Sequence, residues 1–512
     1  MAAITIDFQL FFILILLWLL SRFCLSAFFS FKKPKDIKLP PSPPSLPVIG
    51  HLHLFRSALC HKSLKNLSSK YGPLLHLRAF NIPIVVVSSG SMVNEVLRNH
   101  GLNFASRQSG SVFEESLFCG VSGFTSAPYG EYWRFMKKLL VTKLLGAHSL
   151  DRTRLIREEE VKTFRAILFD KAVKKEAVEV EKEMMKLTNN SICMMIMGKR
   201  CSGENGEAER IRELVTKTIG LMKKIVIAIT VGKLLKKVGI SLFEKEFMQV
   251  SRSFDEIIEK ILVEHEENPK KDEDKDMMDV LLEVCADENA EFKITRNHIK
   301  SLLVELFLGG TDTSAQVTQW AMAELINHPE ILKKLRQEID SVVGKTRFIQ
   351  ETDLPNLPYL QAVIKEALRV HTPSPILARN SMEGCNIGGF YIAKNTTVII
   401  NTYAVMRDPN SWEEPDKFQP ERFMVAPQNG KEEMREQQGF NYIPFGSGRR
   451  ACPGSNLGYI FTGLAIGTMV QGFNWSVDGG KVNTEETGDT MLRMAHPLMC
   501  TPVARIDPSA NP

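Results

Sequence analysis

The sequence predicts one large, mainly α-helical domain with a minor β portion, carried behind an N-terminal transmembrane helix. Three observations lead there. Helical patterns dominate from about residue 130 to 345. Strand-like runs are confined to Leu74–Ser88, to the Gly389–Ala404 stretch and to the C-terminus. Beyond Gly50 no convincing linker, repeat or low-complexity boundary divides the 512-residue chain.

The transmembrane expectation rests on the first residues. From Ile4 to Leu20 the chain is apolar except at Asp7 and Gln9, and Phe23 to Phe31 extends the run. A span needs roughly 20 apolar residues, and this run reaches that length if Arg22 lies within it or snorkels. No basic residue precedes it, whereas Lys32, Lys33, Lys35 and Lys38 follow. The positive-inside rule then leaves the body in the cytosol and the short N-terminus in the lumen. A cleaved signal peptide is the alternative, but a basic n-region and a small-residue cleavage site are not evident. The expected division is an anchor at 1–31, a basic and proline-rich hinge at 32–50 and a body at 51–512. Five prolines between Leu39 and Pro47 favour a stiff extended segment that orients the body against the bilayer.

Composition narrows the function classes. Hydrophobic residues at 44% and charged residues at 24% suit an ordinary core. A net charge of +5 is too mild for nucleic acid, and no reading motif is present. It does suit anionic membrane lipid or an acidic protein partner. The nine cysteines are scattered, odd in number and without C-x-x-C spacing, which argues against a disulfide framework or a structural zinc site. The body is expected in a reducing compartment.

Two helices carry the chemistry. One starts near Thr295, its N-cap, and runs to about Asn327, a length of roughly 45–50 Å at 1.5 Å per residue. The other runs from about Pro358 to His371, with Pro373 beyond it. The chemistry starts at Phe445-Gly-Ser-Gly-Arg-Arg-Ala-Cys-Pro-Gly454. The glycines let the backbone wrap closely around the Cys452 sulfur, neighbouring N–H groups can donate to it, and Arg449 and Arg450 favour its thiolate. The phosphate-binding pattern G-x-x-x-x-G-K-[ST] is absent.

This segment resembles the heme-binding signature of the cytochromes P-450, F-x-x-G-x-R-x-C-x-G, with Phe445, Gly448, Arg450, Cys452 and Gly454 all matching. The resemblance implies a heme-thiolate fold, heme b as cofactor and Cys452 as the iron ligand. A thiolate on heme iron favours O–O cleavage. It also implies that Glu366, Arg369 and Arg422 form a structural triad, from E-x-x-R on the second helix and the Phe418–Phe423 segment, locking the loop beneath the heme. Gly309-Gly-Thr-Asp-Thr-Ser314 resembles the family's distorted turn over the heme, with Asp312 and Thr313 as the acid–alcohol pair that relays protons. A helix-packing notch is the other reading of the glycines, which cost about 1 kcal/mol each inside a helix. Trp133 and Lys137 resemble W-x-x-x-R, which with Arg379 and Arg450 would meet the heme propionates. Lysine replaces the commoner arginine and brings no bidentate fork.

By family position the substrate pocket draws on Ser106–Tyr129, Glu305–Gly309, Pro373–Ala378 and Thr487–Leu492. Glu305, seven residues before Asp312, is read as a contact for a polar substrate group, a buried paired carboxylate or a surface residue. Lys217–Ile240 is read as a second membrane contact or as a buried helix with snorkelling lysines. Phe135–Leu145, Gln316–Glu324, Asn401–Pro409 and Met494–Pro502 resemble the seven-hundred-and-five family of crucifers, within the plant seventy-one clan. Members are linked to triterpenoid metabolism in roots.

The implied enzyme is a single-pass endoplasmic-reticulum monooxygenase facing the cytosol. It takes electrons from NADPH through NADPH–cytochrome P-450 reductase and acts on a lipophilic small molecule. A flavonoid or phenylpropanoid hydroxylase is the alternative. A heme-thiolate isomerase or dehydratase is disfavoured because such enzymes tend to lose the acid–threonine pair. A non-turnover heme-binding sensor is the alternative from another class.

Overall fold

The computed structural model describes residues 17–18, 21, 38–55, 59–107, 120–198, 209–221, 224, 243–270, 275–424, 439–488 and 491–506. Most of the expected anchor at 1–31, the basic run 32–37, part of the expected pocket loop at 108–119 and most of the Lys217–Ile240 stretch lie outside the described residues. Among the described residues no helix is long and apolar enough to cross a membrane.

The architecture turns on the helix Arg296–Asn327, hereafter the long helix, whose 32 residues span about 48 Å. Thr295 caps it in a capping box with His298, whose Nδ1 accepts from Thr295 N at 3.0 Å. Pro329 opens the next helix, Pro329–Val342, and so ends this one. The long helix is buried on nearly every face because it runs through the middle of the molecule. Its N-terminal half, with Leu303 and Phe307, packs into one apolar cluster. Its C-terminal half, with Trp320 and Ala321, packs into a second. Gly309–Ser314 falls at the junction, where neither cluster claims the space.

The helices Val180–Met197, Ser455–Gly472 and Pro358–Val370 pack most extensively on it. The main sheet has four strands in the order Leu74–Ala79, Ile82–Val87, Thr397–Ile400, Leu377–Asn380. The first two form the hairpin expected around Asn81, in register Leu77↔Ile84. Ile82–Val87 pairs parallel with Thr397–Ile400, and Leu377–Asn380 pairs antiparallel with it. The strand expected through Ala404 stops at Ile400. Asn401 Oδ1 accepts from Ala404 N and turns Thr402–Val405 into a helical turn.

Smaller sheets are Val178–Glu179 with Met499–Ala504 and Phe473–Ser476, the Cys385–Ile387 and Phe390–Ile392 pair, and the hairpin Glu486–Thr487 with Arg493–Met494. From Lys38 onward the proline-rich segment lies along this body. Tyr391 N donates to Lys38 O and His76 N to Pro41 O, each at 2.8 Å.

Candidate active site

Residues far apart in sequence enclose a cavity of about 390 Å³. Cys452 lies on one wall. Gly309, Gly310 and Thr313 of the long helix form another. Much of the rest is apolar, with Ile192, Met195, Leu302 and Leu306 among the lining residues.

The cysteine loop is a tight turn. Gly446 and Gly448 take φ of 69° and 67°, which L side chains rarely adopt, and a Cβ on Gly448 would sit 2.9 Å from Leu97 O. Cys452 N donates to Phe445 O at 2.9 Å, drawing Phe445 beneath the cavity. Burial pushes the Cys452 thiol up, against the Gly454 N–H and the Lys137 ammonium, which pull it down. The arginines expected beside the sulfur face elsewhere. Arg449 lies over the Tyr129 ring, 5.9 Å from its centroid. Arg450 donates to Ala105 O at 2.7 Å, Thr125 O at 3.3 Å, Phe124 O at 3.4 Å and Ala127 O. Its guanidinium holds backbone and so has little left for an external anion. Burial first, then Arg107, pull its pKa down to about 9, while Glu305 raises it.

Lys137 also departs from the expectation. Its Nζ donates to Ala451 O at 2.6 Å and does not line the cavity, because the flexible stem reaches the peptide just before Cys452. Trp133, on the same helix Glu131–Leu139, does line it. Its ring stacks on Phe124 at 5.6 Å and 11°, and its Nε1 is buried with no hydrogen-bond partner among the described residues. Arg379 is 2% exposed and lines the cavity. Burial, Arg107 and Arg450 all push its pKa well down, and no carboxylate pairs with it among the described residues.

The long helix passes over the cavity without the distorted turn the resemblance implies; it is α-helical throughout. The two glycines divide the two readings between them. A Cβ on Gly310 would meet Ile192 Cδ1 at 2.2 Å, so Gly310 is a packing notch. A Cβ on Gly309 would meet nothing within 4 Å, so Gly309 leaves room in the cavity. Thr313 lines the cavity, and its Oγ1 donates to Gly309 O at 2.7 Å. Asp312 is turned away from it, 1% exposed, onto Arg493.

The triad residues meet. Arg369 Nε and Nη2 grip the two Glu366 oxygens at 2.7 and 2.8 Å, both side chains fully buried. Arg422 Nε reaches Glu366 Oε1 at 3.3 Å. Arg369 also donates to Met406 O, Pro415 O and Lys417 O, which ties the segment before the cysteine loop to the helix.

Of the expected pocket stretches, Pro373, Ser374 and Leu377 line the cavity, as do Arg107, Phe124 and Thr125. The described residues of Thr487–Leu492 do not; Leu492 N is engaged by Pro373 O at 3.1 Å. Arg107 and Arg493 also bind into this region, through Thr125 O and Asp312. Nothing in their local spacing marks them, and their partners lie across the fold.

A model of the cytochrome P450 family matches residues 40–501. The chain belongs to the cytochrome P450 family. Cytochrome P450 705A22 of Arabidopsis thaliana is 57% identical over 512 residues, covering 99% of each chain. Two more distant relatives come from Glycine max. Beta-amyrin 24-hydroxylase is 38% identical over 99% of this chain and 100% of its own. The 3,9-dihydroxypterocarpan 6A-monooxygenase is 38% identical over 94% and 96%. A zebra fish cytochrome P450 solved with progesterone superposes with a TM-score of 0.75 at 25% identity, covering 87% of this chain and 99% of that one. The protein is thus a cytochrome P450 monooxygenase of the plant type expected from its motifs.

The residues present fit the heme this family carries. A sulfur on an apolar wall suits the iron. The unpartnered Trp133 Nε1 and the uncompensated Arg379 cation suit an acidic edge such as two propionates.

Proposed function

We propose that this cytochrome P450 hydroxylates, or further oxidises, a lipophilic plant specialised metabolite of the triterpenoid class, with electrons from NADPH delivered by a membrane reductase. The carrying observation is the cavity, with the Cys452 sulfur on one wall and Gly309 and Thr313 on another. Heme b, when bound, supplies dioxygen activation and insertion of one oxygen atom into an unactivated C–H bond.

The chain's own residues do the rest. Cys452 Sγ would hold the iron, while Arg379 and Trp133 Nε1 would hold the acidic edge. Lys137 and Arg450 brace the loop through Ala451 O and the 105–127 backbone. Gly309 leaves space above the sulfur, and Thr313 Oγ1 holds a proton at the cavity wall. Asp312, the residue before it, faces Arg493 instead of the cavity. Burial raises its carboxyl, which keeps a proton closer to neutral pH than an ordinary aspartate would. Apolar walls exclude water and suit a hydrocarbon skeleton.

The triterpenoid class is supported by 38% identity to a beta-amyrin 24-hydroxylase. A phenolic substrate is the second reading, favoured by equal identity to the pterocarpan monooxygenase. The anchor at 1–31, with its one-sided lysines, would place the enzyme on the endoplasmic reticulum with its body in the cytosol. Spectral titration of the ferric protein with triterpene alcohols and, separately, flavanones tests the assignment. A saturable low-to-high-spin shift with triterpenes alone supports it; one with flavanones alone moves the substrate to the phenolic class. Cys452→Ser is expected to lose the thiolate-type carbon monoxide spectrum, and an unchanged spectrum would overturn the ligand.

A further inference from the structure

Glu305 carries a charge into the cavity wall for which neither the heme nor the proton relay has a use. Its carboxylate is not spare. Oε2 accepts from Phe124 N at 2.8 Å, while Oε1 accepts from Thr125 N at 2.8 Å and Thr125 Oγ1 at 2.5 Å. The carbonyls of the same two residues face the other way. Arg450 donates to both, and Arg107 Nη1 donates to Thr125 O at 2.8 Å. The Phe124–Thr125 turn is therefore bolted on two sides, to the long helix through its N–H groups and to the cysteine loop through its carbonyls. Phe124 and Thr125 both line the cavity.

A carboxylate offers about four lone-pair sites, and three here are taken by the turn. Holding the turn is thus its main work, ahead of reading a polar group on substrate. Charge-assisted hydrogen bonds in a water-poor cavity are strong and directional. Burial raises the Glu305 carboxyl against the pull of Thr125, Phe124 and Arg107. Expense of that kind brings rigidity at one place.

We infer that Glu305 is a positioning residue that determines specificity: it pins the Phe124–Thr125 turn to the long helix and so sets the bulk of substrate the cavity admits. This rests on reading the cavity as the substrate chamber above Cys452 and is independent of the triterpenoid assignment.

The test compares ferric holoprotein of the natural sequence with Glu305→Gln, Thr125→Val and the double variant. Two readouts are taken: the spectral shift with imidazole and with a triaryl-substituted imidazole, and amide hydrogen exchange in the peptide containing Phe124 and Thr125. Glu305→Gln is expected to speed exchange at the turn and to tighten binding of the bulky azole roughly tenfold, with imidazole unchanged. Thr125→Val moves both readouts the same way by less, and the double variant adds little to Glu305→Gln because the residues act as one unit. Unchanged exchange at the turn, or an equal change for both azoles, overturns the inference. If Glu305→Gln yields no holoprotein, Thr125→Val, which keeps the carboxylate and two of its three bonds, decides. If no azole shifts the natural protein's spectrum, the heme-thiolate reading fails, and the exchange rates still judge Glu305.

Discussion

Arg493 Nη2 lies 2.6 Å from each carboxylate oxygen of Asp312, across 181 positions of sequence. Its Nη1 meets Glu181 at 2.9 Å, so one guanidinium on a short hairpin joins two helices. Burial still outweighs the pairing and leaves the Asp312 carboxyl raised, with Arg493 pulling it down and Glu181 adding to the rise.

Arg493→Met strands Asp312 as an uncompensated buried charge and is expected to cost about 3–5 kcal/mol at neutral pH. A carboxyl raised on folding favours the folded state only while protonated, so this benefit is lost as pH rises through its folded value. The loss of melting temperature in the variant should therefore be larger near ~pH 8 than near ~pH 5. Equal losses at both would mean that Asp312 is not the group responsible.

The two glycines should respond oppositely to alanine. Gly310→Ala pushes a methyl into Ile192 and is expected to destabilise by about 1–3 kcal/mol, with Ile192→Val recovering part. Gly309→Ala meets nothing and should hold or raise stability by up to about 1 kcal/mol. It narrows the cavity, so the substrate-induced spin shift weakens while the melting temperature does not fall.

Arg369→Ala leaves Glu366 buried beside Arg422 alone and strips donors from three carbonyls. A loss of roughly 3–5 kcal/mol is expected, enough to eliminate carbon-monoxide-binding protein from expression cultures. Recovery of normal holoprotein yield would show that the pair is dispensable.

His265 predicts the opposite pH trend at a second place. Its Nε2 meets Asp276 Oδ2 at 3.0 Å and its Nδ1 meets Ile261 O at 2.8 Å, so both nitrogens face acceptors. Burial lowers its pKa, but Asp276, the Ile261 carbonyl and Asp279 together raise it. With Asp276 and Asp279 it is grouped closely enough to bind a metal, yet Lys270 Nζ already sits 2.5 Å from Asp276 Oδ2. The stabilisation is complete below the ordinary histidine pKa of about 6.5 and is lost as pH rises through the raised value. Melting curves of His265→Gln should converge on those of the natural protein at alkaline pH.

What was legible in the sequence was whatever a local spacing enforces. The cysteine loop needs glycine at positive φ, Glu366 and Arg369 share a face at three residues' separation, and Thr295 and Pro329 mark where the long helix begins and where the next one opens. Partners reached across the fold left no such trace. Lys137 follows Trp133 by four residues on one helix, but its flexible stem reaches Ala451 O. Which glycine served packing and which served space depended on where Ile192 came to rest. Arg493 and Arg107 carry no local signal, since their meaning is supplied by Asp312 and Thr125.

Arg450 stands two residues from the sulfur while its guanidinium holds carbonyls from Ala105 to Ala127. The cavity wall at Phe124–Thr125 and the peptide that presents the cysteine are thereby one mechanical piece. A lineage that remodels the backbone at Ala105 or Phe124–Ala127 pulls on the cysteine loop with each step. Ile192, Met195 and Leu302 line the same cavity with apolar side chains that make no such bond to the cysteine loop, so a change there does not pull on it.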